Sequence, residues 1–246
     1  MLRTFRADLH IHSCLSPCGD EEMRPRAVMN QVTATGLDII AICDHNSTEN
    51  TAAFMNAGYE RGLTVLPGIE VTTKEEIHLL ALFDRQEDCM ALQEWIYKNL
   101  PGENVEEVFG SQTVVNERDE TIGTNRRMLI GATLLPLEQV VSFVGSLRGV
   151  TIASHIDRPA FSLLGQLGFI PEGIPLDGLE ISSRTSNEEA QKRFHAYQHY
   201  SFVRFSDAHR LEDIGKNMTH FVLKEATSEE VKLALHRKEG RSVVEQ

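Results

Sequence analysis

The sequence is short of cysteine, of long apolar runs and of clustered positive charge. Its four cysteines, Cys14, Cys18, Cys43 and Cys89, are too few and too scattered for a disulfide framework. Cys14 and Cys18 form a C-x3-C pair beside a histidine motif, read here as two loop thiols without a ligand role, with a redox or metal role as the alternative. No run of about 18 apolar residues occurs, so no membrane span is expected. The opening residues MLRTFRADLH lack an apolar signal core, which points to the cytoplasm. The net charge is -12, and no Lys/Arg run offers the basic footprint of a protein that grips a polyanion. A small substrate is therefore expected ahead of long nucleic acid, although bound cations would make a site locally positive. Internal repeats and low-complexity tails are also missing.

What is present is ordinary globular material: 246 residues, 41% hydrophobic and 24% charged. Short apolar runs alternate with helical patterns, as in repeated βα units. Strands are expected near 5–12, 38–43, 64–71, 77–83, 149–155, 177–182 and 202–207, seven in all. DIIAIC (38–43) is the continuous β-branched run of a buried parallel strand. A helix should start at Pro25 and stop at Gly36, and another should run from Thr48 to Arg61 before Gly62. Further helices are expected at 159–168, 186–199 and 227–238. Residues 84–148 are too long for one crossover. Helical patterns near 87–98 and 136–147 flank a polar stretch, NERDETIGTNRR (116–127). The region reads as a helical insertion between strands 4 and 5, placed to cap a site, within a single domain spanning 1–246.

Asp8-Leu9-His10-Ile11-His12 alternates along the first strand, so Asp8, His10 and His12 should share one face and Leu9 and Ile11 the other. Asp44 and His45 end DIIAIC, and Glu70 ends TVLPGIEV. His78 begins an apolar strand, His155 ends GVTIAS, and Asp207 and His209 follow FVRFS. Taken singly, each is no more than a satisfied polar residue. Together, six of the ten histidines lie at or beside strand ends. In a βα barrel the C-terminal strand ends open on one face. Imidazoles and carboxylates crowded there without a cation would carry a heavy desolvation cost, so the set points to metal. His195, His199, His220 and His236 fall on helical or irregular stretches and read as structural or surface residues.

DLHIHS, the strand-end DH, PGIEV, the histidine of IHLLAL, ASH and SDAH occur in this order from Asp8 to about Gly215. They resemble the motifs of the PHP family, named for polymerase and histidinol phosphatase. The resemblance implies a distorted (β/α)7 barrel, an α/β fold, and two to three divalent ions among manganese, iron and zinc. Carried over by position, it implies His10, His12, Glu70 and Asp207 on one metal, and Glu70, His78 and His155 on a second. A third would take His45, His209 and Asp20, the aspartate five residues before Pro25, with Glu21 and Glu22 competing for that place. Glu70, Asp207 and His209 would stand nearest the reaction, while Asp8 and Asp44 would orient their neighbours.

Paired cations polarise a phosphoryl oxygen and activate water, so hydrolysis of a phosphoester is the expected activity. The expected substrate is a nucleotide or a phosphorylated metabolite. A nuclease working on nucleic acid ends and a non-catalytic metal-stabilised module are the alternatives. Arg158, three residues after His155, and Arg184, just past GLEIS, are the candidate phosphate contacts.

Overall fold

The apolar runs form strands of one nine-stranded sheet in the computed structural model, which describes residues 1–244. The strands are β1 (Arg3–Ile11), β2 (Ile39–Ile42), β3 (Thr64–Thr72), β4 (His78–Leu82), β5 (Thr113–Val115), β6 (Thr121–Thr124), β7 (Val150–Ala153), β8 (Gly178–Glu180), β9 (Ser201–Val203), β10 (Thr219–Leu223) and β11 (Ser242–Val243). The large sheet runs β11-β10-β1-β2-β3-β4-β7-β8-β9, and β5 and β6 pair separately. Its two edges come together, so the sheet is a nearly closed barrel. Beyond β9 the chain straps itself to β1: the His12 N–H donates to the Ala208 carbonyl at 2.9 Å, and the Ala208 N–H to that of His10 at 3.3 Å.

The seven expected strands are β1 to β4 and β7 to β9. β10 is an addition, antiparallel to β1. Its buried residues Thr219, Phe221 and Leu223 alternate with half-buried ones, a period too short to stand out from sequence. The order is also not wholly parallel. β3 and β4 form an antiparallel hairpin, and β4 is antiparallel to β7. The reversal brings the start of β4 to the rim where β3 and β7 end, with His78 opposite Thr72.

β1 departs from simple alternation. Against β2, Asp8 pairs with Ile40 and Ile11 with Ile42, so β1 carries one extra residue between them. The bulge separates Asp8 from the face that His10 and His12 share. It also splits the expected apolar pair. Leu9 joins Ala41, Leu66, Leu80 and Ile152 in one core cluster, while Ile11 packs with Val28, Met29 and Phe54 in another.

The helices are α1 (Pro25–Thr35), α2 (Thr51–Tyr59), α3 (Gln86–Tyr97), α4 (Glu106–Phe109), α5 (Leu137–Ser146), α6 (Leu163–Leu167), α7 (Asn187–Arg193) and α8 (Ser228–Leu235). α1 starts at Pro25 and closes at Gly36, which takes φ 69°. α6 is shorter than 159–168 because Ser162 caps it, accepting from the Gly165 N–H. α7 likewise stops at Arg193 and gives way to a 3-10 turn. α8 plugs the barrel end opposite the site. Its Leu235 carbonyl accepts from the Ser201 hydroxyl at the start of β9, and its Lys232 Nζ donates to the Gly149 carbonyl before β7. No helix among the described residues is long and apolar enough to cross a membrane.

Within 84–148, α3 and α5 are core helices. Leu92 and Ile96 of α3 and Val140 and Val144 of α5 pack with Leu79, Ala81 and Phe83. The chain between them lies against the loops after β1, β2 and β3. The Thr113 N–H reaches the Cys14 carbonyl, the Asn46 amide reaches that of Leu129, and the Thr133 N–H reaches that of Thr72. The polar stretch 116–127 is no plain loop, since it supplies β6 and Asn125, whose amide bonds Glu49 and Tyr97.

Candidate metal centre

Glu70 lies at the middle of the C-terminal rim, 1% exposed. Gly68, two residues before it, lets β3 press close: a Cβ there would stand 2.6 Å from Cys43 Sγ and 3.1 Å from the Ile42 carbonyl oxygen. Glu70 Oε1 sits 3.1 Å from His78 Nδ1, 3.3 Å from His10 Nε2 and 3.5 Å from His155 Nε2. Oε2 sits 3.1 Å from His45 Nδ1 and 3.4 Å from His12 Nε2. Asp207 Oδ1 faces His10 Nε2 at 3.3 Å and His12 Nε2 at 3.2 Å. The His209 ring stacks on His12 at 4.2 Å between centroids. Eight of the nine expected ligands are thus together.

The arrangement fits divalent cations. Glu70 Oε1, Asp207 Oδ1 and His45 Nδ1 are buried yet have no hydrogen-bond partner. Ligands held about 2.0–2.2 Å from a shared cation stand roughly 3–3.5 Å from one another, which is the spacing seen. Three sets of ligand atoms converge within 4.8 Å: His10, His12 and Glu70; His45, Glu70 and His78; and His12, His45 and His209. His45 therefore joins Glu70 and His78 as well as His209, and the sets share residues more than the expected partition does.

The charge balance supports the same chemistry. Burial would raise the Glu70 carboxyl, yet the charges of His78 and His10 hold it well below the usual carboxylate range. Asp207 is held low against burial by His10 and His12. Burial would lower His10, but Glu180, Asp207 and Glu70 lift it well above an ordinary imidazole. A divalent cation would balance these buried carboxylates without calling on protonated imidazoles.

Asp44 accepts from the Ser13 N–H, the Ser13 hydroxyl and the Ser16 hydroxyl, and Ser16 Oγ lies 2.9 Å from His12 Nδ1. The chain Asp44–Ser16–His12 leaves Nε2 of His12 facing the centre. Asp8 accepts from the N–H groups of Ser206 and Gly215, which pins the segment bearing Asp207. Burial pushes its carboxyl up to about 6, against those hydrogen bonds.

Asp20 is not brought in. It is exposed, and its carboxylate accepts from the Glu22 N–H, while only its backbone N–H reaches the His209 carbonyl. Glu21 is committed to Arg24, Ser111 and Thr113, and Glu22 is exposed. Cys18 of that loop is the group whose charge the imidazoles of the cluster shift. Burial of its sulfur would raise the thiol, but His45 and His209 pull it down to about 6. Arg158 is tied to the centre, its Nη2 donating to Asp207 Oδ2 at 2.6 Å. Arg184 is exposed past β8 and is not brought to the cluster.

Glu180 is the residue that sequence reasoning missed. Buried at the end of β8, it lies 3.1 and 3.2 Å from His10 Nδ1 and accepts the His155 N–H at 3.0 Å. It thus aims the Nε2 of one expected ligand and fixes the backbone of another. GLEIS repeats the glycine–aliphatic–glutamate pattern of GIEV, and that was the available signal. Glu180→Gln should weaken metal binding by about 10–100-fold, read by metal titration of the purified variant. Unchanged affinity would remove Glu180 from this task.

Residues 8–163 match the PHP domain, through the strands that carry most of this cluster. The chain belongs to the PHP family. Within the PHP fold it is similar to a 5'-3' exoribonuclease of Haemophilus influenzae, 31% identical over 86 residues, which are 33% of this chain and 30% of that protein. The lesion-specific endonuclease Q of Pyrococcus furiosus superposes with a TM-score of 0.74 at 17% identity, over 98% of this chain and 58% of that one. A Bifidobacterium adolescentis protein described as a metal-dependent phosphoesterase superposes at 0.62 with 19% identity, over 94% and 96% of the two chains. These structural likenesses establish a shared fold. This PHP chain spans under a third of the exoribonuclease and little over half of the endonuclease.

Proposed function

We propose that this protein is a metal-dependent phosphoesterase that hydrolyses a small phosphoester, a nucleotide or a phosphorylated metabolite. The observation that carries the reading is the buried Glu70 carboxylate, with ring nitrogens of His10, His12, His45, His78 and His155 all within 3.5 Å of its two oxygens. Glu70 would bridge two cations, with His10, His12 and Asp207 completing one and His78 and His155 the other. When bound, such cations supply Lewis acidity to a phosphoryl group and activate water, with manganese, iron or zinc suited to the mixed N/O donors.

The chain's own residues supply the rest. A proton for the leaving oxygen would come from His209, half-buried beside Asp207, or from water held at the third position. The segment between α3 and α5 would cap the rim. Arg158 spends one nitrogen on Asp207, and its remaining donors suit phosphate oxygens. Phe161 stacks on His78 at 4.9 Å and stays exposed, offering a face for a nucleobase. Arg158→Ala should lower kcat/KM by about 10–100-fold, with Arg158→Lys recovering only part because lysine lacks the planar fork. Unchanged catalytic efficiency would leave phosphate to the metals alone.

The second reading is a nuclease acting on nucleic acid ends, favoured by the names of the exoribonuclease and endonuclease to which the chain is similar. The net charge of -12 favours the small substrate. Turnover of the metal-loaded protein on mononucleotides, sugar phosphates and 5'-phosphorylated oligonucleotides tests both. Release of inorganic phosphate from the small esters is expected. Cleavage confined to oligonucleotides would overturn the first reading in favour of the second, and no turnover on any of them would overturn both.

A further inference from the structure

The barrel closes imperfectly on one side. β9 and β11 are the two edges of the large sheet, so a seam runs between them. Across it the Arg204 N–H donates to the Thr219 hydroxyl at 2.8 Å, and that hydroxyl donates to the Arg204 carbonyl at 2.8 Å. Beside this link a cavity of about 450 Å³ opens between α7, β9 and β11. That volume falls in the range of about 300–1,000 Å³ that small-molecule sites occupy. Among the described residues, none of the metal centre lines it.

The charge of the cavity runs against that of the chain. The net charge is -12, yet the described lining holds Arg204 and Arg237 and no carboxylate. Arg204 Nε donates to the Asn187 side-chain carbonyl at 2.7 Å and Nη1 to the Ser182 carbonyl at 2.8 Å, both neutral groups. Its buried Nη2 has no hydrogen-bond partner. Burial lowers the pKa of this guanidinium, and the opposing charge is Asp157, itself bonded to Ser182 and Thr185. Arg237 stands exposed just after α8 at φ 54°, a left-handed conformation that favours glycine at a helix end. Its guanidinium is therefore presented at a backbone cost.

We propose that the seam cavity is a second ligand site, separate from the metal centre, for a small phosphate monoester with an apolar or aromatic body. Two guanidinium groups match the charge of about -1.5 to -2 on a phosphate monoester better than the single charge of a carboxylate. The phosphate would lie between Arg204 and Arg237, and the body against Ile181, Phe202 and Val243. The described lining offers no histidine, carboxylate or thiol, so the ligand is bound there and not cleaved.

Isothermal titration of the metal-loaded protein with phenylphosphonate tests the site, at a mildly alkaline pH where this probe is a dianion that resists hydrolysis. Wild type should bind one equivalent that Arg204→Gln and Arg237→Gln each weaken about tenfold or more. Arg158→Ala, at the metal centre, should leave that equivalent in place, which tells the two sites apart. Arg237 is exposed, so Arg237→Gln serves even where Arg204→Gln fails to fold. Benzoate, a ring with a single charge, should bind about tenfold more weakly than phenylphosphonate. Equal binding of benzoate would overturn the phosphate assignment. No saturable binding, or binding that Arg158→Ala removes and Arg237→Gln leaves unchanged, would overturn the site itself.

Discussion

Glu70→Gln is expected to abolish phosphoester hydrolysis while the barrel stays folded. Glutamine keeps the shape of the side chain but presents one carbonyl oxygen and one amide nitrogen. The nitrogen cannot bind a cation and would point its hydrogens at imidazoles that also seek one. Both Glu70 oxygens have imidazole nitrogens within 3.5 Å, so neither orientation of the amide spares the centre. Loss of an outlying partner such as Glu180 should cost about 10–100-fold. Loss of a shared central ligand should exceed that range, and Asp20→Asn, at an exposed carboxylate, should fall below it. Steady-state kinetics with metal content measured on the same samples checks the order. Comparable, mild losses in Glu70→Gln and Asp20→Asn would remove Glu70 from the bridge.

Stripping metal should end turnover and lower the melting temperature. The cluster buries the carboxylates of Glu70 and Glu180 and five imidazoles, each less than a tenth exposed. Ions that bind only the folded chain stabilise it by about 2.7 kcal/mol at a hundred times their Kd. For a chain of this size that corresponds to roughly 5–10 °C in Tm. Differential scanning fluorimetry before and after chelation, then after adding back manganese, iron or zinc, measures the shift. A Tm and a rate both indifferent to chelator would refute the metal reading.

The fold was legible wherever one period dominated a segment. DIIAIC, TVLPGIEV and GVTIASH are largely apolar runs, and each is a buried strand with a candidate ligand at or just past its end. The pattern failed where local geometry broke the period. A one-residue bulge in β1 cannot be seen in DLHIH, because alternation predicts Asp8 beside His10 whether or not an extra residue intervenes. The reversal of β4 hid in the five residues between Thr72 and His78, yet it explains why a histidine at a strand start shares the rim with strand ends. Glu180 was less legible because a carboxylate acting through His10 carries only the faint echo of GIEV in GLEIS. Asp20 matches the expected place only by its distance from Pro25, and sequence distance does not report which way a turn aims its side chains.

The backbone bonds that join Ala208 to His10 and His12 also say when the centre can exist. They close a loop of almost two hundred residues, among the most distant contacts in the chain. Pairings of such separation form late in folding, because their closure entropy is met only after nearer contacts are in place. Asp207 and His209 ride on this strap, so a complete ligand set is expected only after the barrel's main barrier is crossed. Bound metal should then act mainly on the way out. It should lengthen the lifetime of the native state by slowing unfolding, and leave the rate of refolding almost unchanged.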